Sequence, residues 1–159
     1  MQERVQHPVY GEIIYNENIW TGKKELIVNG QFVPAVSKKF FVINGQSAVI
    51  EGSYLGGAKL RINNETIEIA PKPKWYEIFL SVLPFVFLMV WGNNVALCTI
   101  FPVVGGAIGG ALGGLGVVFS LLYMKKANSL INKVLIGVGA FLTTVLAAFV
   151  VALLIMGTL

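Results

Sequence analysis

The sequence predicts a two-part membrane protein. A small all-β N-terminal module of about six strands, rich in hairpins, precedes an α-helical transmembrane domain with three spans. Three observations predict it. Charged residues make up 13% of the 159-residue chain and the mean hydropathy is +0.73, whereas a soluble domain carries about 25% charged residues. The charge is also unevenly divided: residues 1–74 hold nine Lys and Arg and seven Glu, and the rest hold only Glu77, Lys125, Lys126 and Lys133. Finally, the first half alternates short apolar runs with turn chemistry, while the second is almost continuously apolar.

The β module is expected over residues 1–70. "ELIVNGQFV" sets Asn29-Gly30 between Leu26-Ile27-Val28 and Phe32-Val33, and "FFVINGQSAVI" repeats the device with Asn44-Gly45. Asn-Gly favours a two-residue hairpin turn because both central residues need positive φ. "AKLRINNETIEI" predicts a third hairpin at Asn63-Asn64, with Leu60 facing Ile67 and Lys59 facing Glu68. The signals begin at residue 8, so His7, the chain's single histidine, is expected near a mobile terminus and solvated. Lys23-Lys24 and Lys38-Lys39 read as edge-strand lysines that block aggregation, ahead of the alternative that they touch anionic lipid headgroups.

Residues 71–74 form a linker into the domain at 75–159. Pro71 and Pro73 stiffen it, Lys72 and Lys74 add positive charge, and Trp75-Tyr76 form an interfacial anchor. The first span, about 75–91, closes at a second anchor, Trp91, with Pro84 inside it. Glu77 lies one turn in, positioned to snorkel or to pair with Lys74. Residues 95–101 are either re-entrant or helical, and the second span runs over 102–124 with Pro102 as its first residue. A lysine loop containing Lys125 and Lys126 leads to the third span, about 134–158. The lysines place the N-terminus in the cytoplasm and the C-terminus outside, and the compact loops suggest a bacterial plasma membrane.

"PVVGGAIGGALGGLGVV", residues 102–118, carries seven glycines in seventeen residues. Each costs about 1 kcal/mol in a helix interior relative to alanine. A phosphate loop is excluded, because the run lacks the following lysine and joins no polar strand to a helix. Two GxxxG registers remain, Gly105, Gly109, Gly113 and Gly106, Gly110, Gly114, which fall on one half of the helix. This resembles the glycine-zipper motif, in which bare backbone lets neighbouring helices approach closely. Ala140, Thr144, Ala148 and Ala152 form a matching stripe on the third span.

The residue inventory disfavours catalysis. The chain has no Asp, one His and one Cys, so neither a Ser-His-Asp site nor a His/Cys zinc site is available within it. No enzyme activity, cofactor or metal is expected. Basic and acidic residues are interspersed, which argues against nucleic acid. No apolar stretch opens the chain, so a cleaved signal peptide is not expected. The expected partners are the lipid bilayer and either another membrane protein or further copies of the chain. The expected role is an accessory, assembly or regulatory subunit presenting the β module; the alternative is a glycine-zipper homo-oligomer forming a pore or small-solute channel.

Overall fold

The structure, a computed structural model of the chain, describes residues 1–157. It has two compact units, Met1–Pro73 and a second beginning at Lys74.

The N-terminal unit holds eight strands rather than about six: β1 (Gln2–His7), β2 (Gly11–Glu17), β3 (Lys24–Val28), β4 (Gln31–Val33), β5 (Phe40–Ile43), β6 (Gln46–Ser53), β7 (Gly57–Ile62) and β8 (Glu65–Ala70). They form two four-stranded antiparallel sheets, ordered β1-β2-β3-β4 and β5-β6-β7-β8. Asn29-Gly30 and Asn44-Gly45 make their hairpins with φ of 50° and 77° in the first and 50° and 78° in the second. The third hairpin turns at Asn63-Asn64, pairing Lys59 with Glu68 and Leu60 with Ile67. A two-residue loop sets this register and sends apolar residues to one face.

The β1–β2 hairpin escapes the apolar pattern because β1, QERVQH, carries a single apolar residue. Its turn ends at Gly11, φ 68°. The Asn29 side chain fixes it from the next hairpin, accepting the Glu12 N–H at 3.0 Å, while the Asn29 N–H donates to the Glu12 carbonyl at 2.8 Å. Ile13, Tyr15, Leu26, Ile50, Leu60 and Ile62 are completely buried in the core of this unit. The sheets also meet at their edges, β1 beside β8 and β4 beside β5.

The second unit holds α1 (Trp75–Trp91), α2 (Val95–Ile100), α3 (Gly106–Lys126) and α4 (Leu130–Gly157). Two of these, α3 with 21 residues and α4 with 28, are long and apolar enough to cross a membrane. The 17-residue α1 is apolar but shorter, and continues through Pro84. Residues 95–100 are helical, capped by Asn94, whose side-chain oxygen accepts the Leu97 N–H at 3.3 Å.

Three boundaries differ from the expected ones, the first being the end of α3, which runs on to Lys126 and takes Lys125 and Lys126 into its last turn. Helix α3 starts at Gly106 instead of Pro102, because residues 101–105 run extended and turn Val103 into a core with Leu88 and Ala148. There the Val104 N–H donates to the Ala148 carbonyl at 3.3 Å. Helix α4 starts at Leu130 instead of 134, since Lys133 turns inward and its charge does not end the helix. The expected end of the third span at 158 and the C-terminus lie outside the described residues.

Candidate functional site

Helices α1, α3 and α4 contact one another in every pair, and many of the residues along their common seam are small or polar. On α3 the inward line is Gly109, Gly113, Gly116, Ser120 and Met124, all buried. A side chain at Gly113 would stand 2.8 Å from the Phe85 Cα of α1, and one at Gly116 would stand 2.5 Å from the Thr144 Oγ1 of α4. Gly137 on α4 is equally enclosed, 3.1 Å from the Leu80 Cβ and 2.9 Å from the Met124 Cε by the same measure. Such close approaches let helices gain dispersion contact along their length.

The two glycine registers therefore separate. Gly113 faces Phe85 of α1, Gly109 is closed in by the Val104 carbonyl with the Leu88 Cβ at 4.0 Å, and Gly105 backs onto the Gly92 backbone. Gly106 and Gly114 meet nothing within 4 Å, and Gly110 meets only the Met89 methyl at 3.3 Å. On α4, Thr144, Ala148 and Ala152 are buried and Ala140 is half-buried.

The anchor residues separate too. Trp75 is 78% exposed. Tyr76 packs edge-on against it at 6.1 Å, with the Lys74 ammonium 6.0 Å from its ring centre. Trp91 turns inward instead: its indole N–H donates to the Phe101 carbonyl at 3.0 Å and its ring stacks on Phe87. Lys125 and Lys126 occupy the last turn of α3, where positive charge suits the helix dipole. Lys72 belongs to the N-terminal unit and lies against Gly57.

Glu77 does not snorkel, nor does it pair with the Lys74 ammonium. It is buried, with Oε1 2.5 Å from the Lys133 Nζ on α4 and Oε2 accepting the Lys74 backbone N–H at 2.9 Å. Both residues lie one turn into helices that begin at the same end of the unit. One turn deeper, the Ser81 hydroxyl bonds to Ser120 at 3.1 Å and lies 3.7 Å from the Met124 sulfur. Beyond them Pro84, Leu88 and Phe85 fill the seam.

The N-terminal unit has its own polar centre, which apolar patterning could not reveal. Glu17 is 5% exposed. Its Oε2 accepts the Tyr15 hydroxyl and the Tyr54 N–H. Burial raises the Tyr15 hydroxyl well above its ordinary value, and its bond to Glu17 adds to this. Burial, with Glu3 close by, pushes Tyr54 up to about 12. Lys24 is no exposed edge lysine: its ammonium reaches the Gly52 carbonyl, and burial lowers its pKa, with Glu17 opposing and Lys39 reinforcing the shift. His7 lies on β1, with its Nε2 3.1 Å from Glu65 and its side chain 13% exposed, so it is neither terminal nor fully solvated. Its Nδ1 accepts the Val9 and Tyr10 N–H groups at 3.3 and 3.4 Å, which helps form the β1–β2 turn.

Among the described residues no three His, Cys, Asp or Glu side chains gather as a metal-binding group. Comparison with known proteins returned no match: no family model, no curated protein and no solved structure is significantly similar to this chain.

Proposed function

We propose that this chain is a non-enzymatic integral membrane protein in which α1, α3 and α4 all span the bilayer. In this reading the N-terminal unit works at the cytoplasmic face as the interaction module of an accessory, assembly or regulatory subunit. The observation that carries it is the placement of charge. Lys74, Glu77, Lys125, Lys126 and Lys133 comprise every charged side chain from residue 74 onward. All five belong to the first turns of α1 and α4 or the last turn of α3, at one end of the unit. Lysines gathered at one end of apolar helices fit the positive-inside rule, with that end in the cytoplasm of a bacterial cell. At 1.5 Å per residue, α1 reaches about 26 Å, close to the hydrocarbon thickness of about 30 Å.

The glycine zipper serves chiefly to seat α1 and α4 against α3. Gly113 of its inward register meets Phe85, and the neighbouring Gly116 meets Thr144, both of the same chain. The outward line of Gly106, Gly110 and Gly114 favours a second reading, a homo-oligomer joined through that face. A pore would then lie between subunits, since Leu88, Pro84 and Met124 fill the seam within one chain.

The test combines topology with native size. A reporter fused after Leu159 should read outside, and the chain extracted from its own membranes should run in a complex that a variant lacking residues 1–70 no longer enters. A cytoplasmic reporter refutes the three-span arrangement. A complex unchanged by the deletion refutes the subunit role, and a defined oligomer of this chain alone would favour the second reading.

A further inference from the structure

We propose that the notch between the last turn of α3 and the first turns of α4 holds an anionic phospholipid, an inference that rests on the membrane reading above. The notch is a hollow of about 360 Å³, lined by Tyr123, Lys126 and Ala127 from α3 and its exit, and by Asn132, Leu135 and Ile136 from α4. Its chemistry is graded. The Lys126 ammonium and the Asn132 amide bring hydrogen-bond donors to the helix ends. Leu135 and Ile136 lie three and four residues beyond Asn132 on α4, about 5 Å deeper at the helical rise. A donor-rich rim above an apolar floor matches a phosphate headgroup followed by the start of an acyl chain.

Charge complementarity gives the sign of the headgroup. Glu77 is the single carboxylate side chain from residue 74 onward, and Lys133 already holds it. Lys126 has no ion-pair partner among the described residues. Exposure gives the rest of the ligand: Leu135 is 64% exposed and Tyr123 59%. An acidic peptide would answer Lys126 but would leave the apolar floor without a matching tail. An anionic phospholipid answers both.

The experiment is native mass spectrometry of the full chain in detergent, offered phosphatidylglycerol and phosphatidylcholine with identical acyl chains. The wild type should retain phosphatidylglycerol about fivefold better, the effect of one lysine beside an anionic headgroup. Lys126→Gln should bring the two lipids to parity, with helical content unchanged by circular dichroism. Lys39→Gln removes the same charge from an exposed residue of the N-terminal unit and should leave the preference intact. Equal retention by the wild type overturns the site, as does equal loss in both variants, which would reduce it to net charge. Displacement of the lipid by an equimolar amount of free glycerol phosphate, or binding of a Glu-rich peptide through Lys126 in place of lipid, also overturns it. Release of the chain from membranes by alkaline carbonate would sink the membrane reading itself. An integral chain without lipid preference sinks this site alone.

Discussion

Glu77 and Lys133, 56 residues apart in sequence, meet at 2.5 Å between the first turns of α1 and α4. Their side chains are only 4% and 16% exposed. Removing one partner from a buried pair leaves an uncompensated charge, which costs about 3–5 kcal/mol, whereas removing both is far milder. Lys133→Met should therefore destabilise the helical unit by roughly 3 kcal/mol. Adding Glu77→Gln should recover much of that loss, because the glutamine oxygen can still accept the Lys74 N–H. Unfolding in mixed micelles of rising denaturing-detergent fraction measures both. Equal stability of the single and double variants would show that the pair is not coupled.

The glycine seam makes a prediction that contrasts neighbouring positions. Gly113→Ala would press a methyl against the Phe85 backbone and Gly116→Ala would press one against Thr144, whereas Gly114 opens onto empty space. Overpacking of the first two should cost about 1–3 kcal/mol. Gly114→Ala should be neutral or stabilising by up to about 1 kcal/mol, through helix propensity. The same micelle unfolding reads this difference. The bulkier Gly114→Leu, followed by native mass, asks whether the outward register joins copies of the chain: an unchanged mass argues against it.

Gly52 supplies a third contrast, in the N-terminal unit. Gly30 and Gly52 both hold positive φ, 77° and 85°, but only at Gly52 would a Cβ strike backbone, 2.1 Å from the Gly57 carbonyl oxygen. Gly30→Ala should carry only the conformational cost of that φ, on the order of 1 kcal/mol. Gly52→Ala must also part β6 from β7 and should lower the unfolding midpoint of this unit clearly further. Near-ultraviolet circular dichroism of the full chain in urea would record both, and equal shifts would contradict the contact.

What could be read from sequence was local. Asn-Gly carries its own turn instruction, so two hairpins were legible from it, and Asn63-Asn64 with its flanking pairs gave a third and the register of Lys59 against Glu68. The β1–β2 hairpin was not, because His7 and Asn29 build its turn and β1 carries too little apolar pattern to announce itself. The glycines marked a close-packed helix, but which register turns inward depends on Phe85 and Leu88, residues of another helix. Glu77–Lys133 and the Glu17 centre are products of tertiary folding. Their signal was only a charge one turn inside an apolar helix, and a glutamate two residues from Tyr15 on one strand.

The Glu17 centre gives the N-terminal unit a predictable response to alkali. Burial favours neutral Tyr15 and Tyr54 in the folded chain, holding both above the ordinary value of 10, with Tyr54 at about 12. A raised pKa means that the folded state keeps a proton the unfolded state releases. The stability linked to these tyrosines is therefore complete below pH 10 and lost as pH rises through 10 to 12 and beyond. Lys24 works in the opposite sense: with its pKa lowered, the folded state gains relative stability as pH rises toward its ordinary 10.5. Two tyrosines against one partly buried lysine set the direction, so the urea midpoint of the unit should fall steadily above pH 10. Tyr54→Phe keeps the Tyr54 backbone bond to Glu17 and removes one ionising group, so it should flatten that fall without abolishing it. A fall of unchanged steepness in Tyr54→Phe would show that the ring's ionisation is not coupled to folding.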